Sequence, residues 1–238
     1  MVLQPKIDLQ ANSVIAAEAL VRWRLEDGTY LPPSSFVDIF EKNLFCSKLD
    51  FYMLKKAIQQ IRKWIDMGMN PVNISVNQSK IVFYHENYIS ELKSLLEEYN
   101  VSGSYITLEV LESTVIEDID MFNSILTEVK KLGFSVSLDD FGSGYSSLNV
   151  LSKLQIDELK IDRIFLHTKS EVDNQRTKWI LESIIDIAKK SQILVVVEGV
   201  ESKQDDLFIK NLGADVGQGY FYGRPLSISA FNDLIETK

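Results

Sequence analysis

Apolar positions along this chain alternate between two textures: short dense runs of Val, Ile, Leu and aromatic residues, and longer segments in which apolar residues return every three to four positions. The dense runs are residues 2–9 (VLQPKIDL), 14–23 (VIAAEALVRW), 72–76 (VNISV), 105–111 (YITLEVL), 134–138 (FSVSL), 157–161 (DELKI), 193–198 (ILVVVE) and a weaker 214–219 (ADVGQG). Each is too short for a helix and rich in strand-forming residues, so eight strands are predicted. Helical periodicity covers 49–67, 88–99, 117–132, 177–190 and 205–212, with a short turn from Ser229. In 117–132, Ile119, Phe122, Leu126 and Val129 share one face, acids open the segment, Lys130 and Lys131 close it, and Gly133 follows as a left-handed cap.

Repeated βα units predict a mostly parallel sheet, open and doubly wound or closed into a barrel. The ANSV stretch between the first two runs is too short for a parallel crossover, so those two strands pair antiparallel, and an irregular α/β barrel is expected. PSSF reads as the cap of a helix, and TKSEVDNQRTK as a polar surface excursion. No linker-like or low-complexity segment interrupts the chain, which favours one domain.

Composition narrows the chemistry. With 238 residues and 45% hydrophobic content, the chain can bury a large core. No apolar run approaches the roughly 20 residues of a membrane helix. The opening MVLQPKIDLQ lacks the features of a signal peptide, so a cytoplasmic location is expected. Cys46 is the single cysteine, read as a small buried apolar side chain, and His85 and His167 are the only histidines. Thiolate and multi-histidine metal sites are thereby disfavoured, and any metal should be held by oxygen. The net charge of −9, with no long basic cluster, argues against a nucleic-acid polymer as partner. A small phosphate ester remains compatible if bound cations reverse the local sign.

In a βα barrel, a polar residue at the C-terminal end of an apolar run sits at the catalytic face. Such residues recur here: Glu18, Asn73, Glu109, Asp139 and Asp140, Lys160, Glu198 and Gln218. One acid after a strand is ordinarily solvated or caps a helix, but several from successive strands aimed at one space would repel unless cations neutralise them. Carboxylate and amide oxygens select Mg²⁺ or Mn²⁺, and a shared aspartate bridging two such ions suits phosphodiester hydrolysis. Adjacent strand residues point to opposite faces, so Asp139 and Asp140 converge only if the chain turns sharply after them, as Gly142 and Gly144 allow. Lys160 is placed to orient a water or stabilise phosphoryl charge. The DFG triplet lacks the companion kinase motifs.

The segments QPKID, EALVRW, VNISVNQ, LEVLEST, LDDFGSGYSSL, LKIDR, VVVEGVE and GADVGQGYFYGRPL occur in an order that resembles the EAL-domain family of cyclic di-GMP phosphodiesterases over essentially the whole length. The resemblance implies a (β/α)8 TIM-like barrel with an antiparallel strand near the N-terminus. It also implies two divalent ions, Mg²⁺ or Mn²⁺, and hydrolysis of cyclic di-GMP to linear 5′-pGpG in bacterial signalling. A single EAL domain over 1–238 is expected; it departs from the family in lacking the helix that usually precedes it, which suits either a domain excised from a longer chain with an upstream sensory or cyclase domain or a naturally shortened one. A homodimer and no membrane contact by this segment complete the picture. Carried over by position, Glu18, Asn73, Glu109, Asp139, Asp140 and Glu198 resemble metal ligands, with Asp139 bridging and Asp162 contacting a metal water. Lys160, Glu198 and Asp139 resemble the catalytic set. Gln4, Leu20, Arg22 and Gln218 resemble substrate contacts, Gln4 to a guanine edge and Arg22 to a phosphate, and Glu112 resembles the anchor of the loop after Asp140, with a helix-capping acid as the competing reading. Ser143 stands where threonine is frequent, which keeps the hydroxyl. The competing expectations are a catalytically silent cyclic di-GMP receptor, which binds without producing pGpG, and a barrel enzyme acting on an unrelated phosphate ester.

Overall fold

All eight apolar runs become strands of one closed barrel. The computed structural model describes residues 1–43, 45–112, 119–143, 148–166 and 171–236. The strands are β1 (Val2–Asp8), β2 (Ser13–Leu20), β3 (Trp23–Arg24), β4 (Tyr30–Leu31), β5 (Asn73–Gln78), β6 (Ile106–Leu111), β7 (Ser135–Phe141), β8 (Glu158–Ile161), β9 (Leu194–Val197) and β10 (Val216–Gln218). The helices are α1 (Val37–Lys42), α2 (Cys46–Asp66), α3 (Tyr88–Tyr99), α4 (Ile119–Lys131), α5 (Leu148–Lys153), α6 (Glu171–Lys190), α7 (Lys203–Leu212) and α8 (Ile228–Glu236).

The barrel closes in the order β1, β10, β9, β8, β7, β6, β5, β2. β1 runs antiparallel to both neighbours, and every other pairing is parallel. The short link between β1 and β2 imposes that reversal, because a parallel return needs a crossover of a dozen or more residues. Gln4 pairs with Glu18, so the first half of β1 enters at the barrel end where the parallel strands finish.

The helices cover the outside because their apolar residues recur with helical period. α2 buries Met53, Leu54, Ala57, Ile58, Ile61 and Trp64 on one face, and the Trp64 indole donates to Asn232 on α8 at 2.7 Å. α4 buries Phe122, Leu126 and Val129, and Gly133 beyond it takes φ +91°, the left-handed cap expected from the sequence. Ser202 and Asp205 form a reciprocal capping box at the start of α7. Among the described residues, no helix is long and apolar enough to cross a membrane.

Several boundaries differ from expectation. The run 14–23 leaves the barrel at Leu20, and Trp23–Arg24 pairs instead with Tyr30–Leu31 in a separate ribbon turned at Gly28, φ +86°. PSSF forms a 3-10 turn, Pro33–Ser35, ahead of α1, with no side-chain cap. The polar stretch read as a surface excursion is helical from Glu171, because Glu, Gln, Arg and Lys are good helix formers even without an apolar stripe; residues 168–170 lie outside the described residues. Gly144 and the first acids of the 117–132 segment also lie outside them.

Candidate functional site

The inward faces of the strands carry charge where apolar layers would ordinarily fill a barrel. On β2, Glu18 accepts from the Nδ2 of Asn77 at 2.9 Å and from the Nε2 of Gln218 at 2.5 Å. On β6, Glu109 is fully buried, its Oε2 at 3.0 Å from Lys160 and its Oε1 at 2.9 Å from Lys6. Lys160 on β8 is the hub. Its Nζ lies 2.9 Å from Glu198, 3.0 Å from both Glu109 and Asp139, and 3.7 Å from Glu18.

Asp139 and Asp140 converge through a kink at Asp140 itself. Between Leu138 and Phe141, β7 spends one residue more than its partner β8, a bulge, and Asp140 takes φ +57°. Aspartate tolerates the left-handed region better than most residues. One carboxylate oxygen from each of Asp139, Asp140 and Glu198 consequently lies within 4.8 Å of the others. Gly142 follows at φ +99°, where a Cβ would stand 2.0 Å from the Phe165 ring.

Burial raises the proton affinity of Glu18, Asp139 and Asp140, with Lys160 pulling the other way, and pushes Glu198 up to about 8. Glu109 is the contrast. Burial would raise it too, but Lys160 and Lys6 outweigh burial and hold it down at about 2. Burial would lower Lys160, yet Asp139, Glu109, Glu18 and Glu198 keep its ammonium charged well beyond the ordinary range.

The donor set fits divalent cations. Six carboxylates, Glu18, Glu109, Asp139, Asp140, Glu158 and Glu198, meet two ammonium groups, Lys6 and Lys160. Carboxylates thus outnumber ammonium groups, and Asp162 adds a further acid at the edge, so the ionised cluster carries an excess of negative charge that divalent cations would offset. The donors are oxygens, as hard ions require. Gln218 Oε1 is buried beside Glu18 and, among the described residues, finds no hydrogen-bond partner, which suits an oxygen donor to a bound group.

Two hollows flank the cluster. One of about 250 Å³ is lined by Gln4, Glu18, Asp162, Glu198, Gln218 and Tyr220. The other, of about 230 Å³ and mostly apolar, is lined by Leu20, Pro33, Asn77, Ser79 and Leu111 among others. Asp162 caps the turn after β8 through Ile164 N. Arg22 is half-buried, its guanidinium donating to the Val21 carbonyl at 2.7 Å. Glu112 is buried just beyond β6, while 144–147 of the loop it was expected to anchor lie outside the described residues.

Asn73 requires correction. It opens β5, level with Ala16, with its side chain bonded to the Ser104 carbonyl at 3.2 Å and the Thr107 hydroxyl at 2.9 Å. That is the opposite end of the barrel, whereas Asn77, on the same face four residues later, reaches Glu18. The signal was present: Asn77 follows the apolar run and Asn73 precedes most of it. Lys6 was also missed, although it shares the inward face of β1 with Gln4, a position the sequence reading did single out.

A family model described as EAL domain matches residues 1–225. The chain is 33% identical to the bifunctional diguanylate cyclase/cyclic di-GMP phosphodiesterase MucR of Pseudomonas aeruginosa, over 94% of this chain and 32% of that protein. It is 32% identical to the cyclic di-GMP phosphodiesterase PdeR of Escherichia coli, over 96% of this chain and 34% of that one. The chain thus spans about a third of the length of these curated relatives. The solved PaMucR phosphodiesterase in complex with c-di-GMP superposes with a TM-score of 0.88 at 32% identity, covering 97% of this chain and 92% of that one.

Proposed function

Because this chain belongs to the EAL-domain family, we propose that it hydrolyses cyclic di-GMP to linear 5′-pGpG with two divalent ions, Mg²⁺ or Mn²⁺. The observation that carries this reading is the convergence of five carboxylates, Glu18, Glu109, Asp139, Asp140 and Glu198, at one barrel mouth around Lys160. Those five and Asn77 would hold the ions, with Asp162 at the edge of the set. When bound, the ions supply the Lewis acidity that activates water and neutralises phosphoryl charge.

The chain's own groups supply the rest. Water adds to one phosphorus as the bond to O3′ breaks, leaving a 5′-phosphate and a 3′-hydroxyl. Lys160 Nζ, held among Glu198, Glu109 and Asp139, would orient the incoming water and steady charge on the phosphoryl oxygens once those carboxylates turn to the ions. Gln4 and Gln218 face the polar hollow, and Leu20 the apolar one, which suits a ligand with charged phosphates and flat bases. Arg22, just beyond Leu20, would meet a phosphate.

The test is incubation with cyclic di-GMP and Mg²⁺ or Mn²⁺, with chromatographic detection of pGpG. Turnover is expected, and Glu18→Ala or Asp139→Ala should abolish it with the far-UV spectrum unchanged. Binding without pGpG would identify a silent receptor instead, and wild-type turnover in either variant would remove the site assignment.

A further inference from the structure

Lys6 lies at the centre of the barrel, 1% exposed, beneath the proposed ion site and out of line with the catalytic cavity's lining. Its Nζ contacts Ser75 Oγ at 2.7 Å, Glu109 Oε1 at 2.9 Å and Glu158 Oε1 at 2.9 Å. Those three acceptors use all three ammonium hydrogens. Glu158 and Lys160 are alternate residues of β8, both turned inward, so a ladder of alternating sign runs up the interior: Glu158, Lys6, Glu109, Lys160. Each step is a buried charge-assisted contact of 2.9–3.0 Å.

Lys160 holds one oxygen of Glu109, Oε2, and Lys6 holds the other, so the orientation of the carboxylate depends on both ammonium groups. Resting on the proposed phosphodiesterase reading, we propose that Lys6 is a positioning residue: by clamping Glu109 Oε1 from below, it presents Oε2 to Lys160 and to the ions. Lys6 does not touch the substrate. An outer partner of a metal-binding carboxylate ordinarily matters by about tenfold to a hundredfold in metal affinity. A purely structural role would be to neutralise Glu158, and the two roles separate by substitution.

Lys6→Met alone strands two buried carboxylates and is expected to be destabilised. Lys6→Met combined with Glu158→Gln relieves one of them, and Glu158→Gln alone leaves the Lys6–Glu109 contact in place. Mn²⁺ affinity is measured calorimetrically without substrate, followed by kcat and KM for cyclic di-GMP. The paired variant should bind Mn²⁺ about tenfold to a hundredfold more weakly, with kcat reduced and KM within about twofold of wild type. Glu158→Gln alone should retain Mn²⁺ affinity within about twofold. Wild-type Mn²⁺ affinity in the folded paired variant overturns the inference, as does an equal loss in Glu158→Gln alone. Failure of the wild-type chain to bind Mn²⁺ would instead overturn the reading of the site on which this rests.

Discussion

Asn73 and Asn77 share a strand face and differ in height, and alanine substitution should separate them cleanly. Asn73 makes two hydrogen bonds, to the Ser104 carbonyl and from the Thr107 hydroxyl, in a half-buried setting. At about 1 kcal/mol each, Asn73→Ala should cost roughly 2 kcal/mol. That corresponds to a fall of about 4–8 °C in Tm for a chain of this size. Asn77 is exposed, and its side-chain amide donates to Glu18. Asn77→Ala should therefore cost at most about 1 kcal/mol. Its amide nitrogen is engaged by Glu18, which leaves Oδ1 as the oxygen for a cation, so Mn²⁺ affinity and pGpG formation should both drop by about tenfold or more. Calorimetric Tm and Mn²⁺ titration on both variants form the assay. Loss of Mn²⁺ binding in Asn73→Ala with retention in Asn77→Ala would refute the assignment of heights along β5.

Two further outcomes follow from local geometry. Gly142→Ala places a Cβ 2.0 Å from Phe165 at φ +99°. It should lose about 2–4 kcal/mol. The calorimetric Tm should fall by roughly 4–16 °C, and turnover with it as the Asp139–Asp140 bulge shifts; a Tm within about 2 °C of wild type would contradict the strain. Burial pushes the Asp50 carboxyl up to about 6 against hydrogen bonds from Ser79. The folded state then holds the proton more tightly than the unfolded chain, so Asp50 contributes stability at low pH that is lost as pH rises through 6. The contribution falls by about 1 kcal/mol between pH 5 and pH 7. Urea unfolding at both pH values should show the wild type losing about that much relative to Asp50→Asn; an unchanged difference would reject the assignment.

Much of the architecture was legible from local pattern. Eight apolar runs became eight barrel strands because burial on both faces demands continuous apolar side chains. The ANSV link was too short for anything but an antiparallel return. The acids that end strands, Glu18, Glu109, Asp139, Asp140 and Glu198, were visible for the same reason, since charge at the edge of an apolar run has few places to go. α1 was signalled only by the PSSF stretch before it, and α5 and the β3–β4 ribbon were not visible, being too short to develop a period.

What the chain by itself determined was which residues share a face and which runs are buried, because alternation and helical period are local properties of the backbone. The height of each residue in the barrel was decided only by the tertiary structure, since strand register depends on partners far away in sequence: Ala16 opposite Asn73, and Asn77 opposite Glu109. The same holds for the Lys6–Glu158 contact, which joins residues 152 positions apart. Convergence of Asp139 and Asp140 was decided there too, for the bulge exists only against the register of β8. Periodicity fixes direction, and only closure of the sheet fixes level, so the chemistry of the mouth was readable in kind from the chain and in position from the barrel.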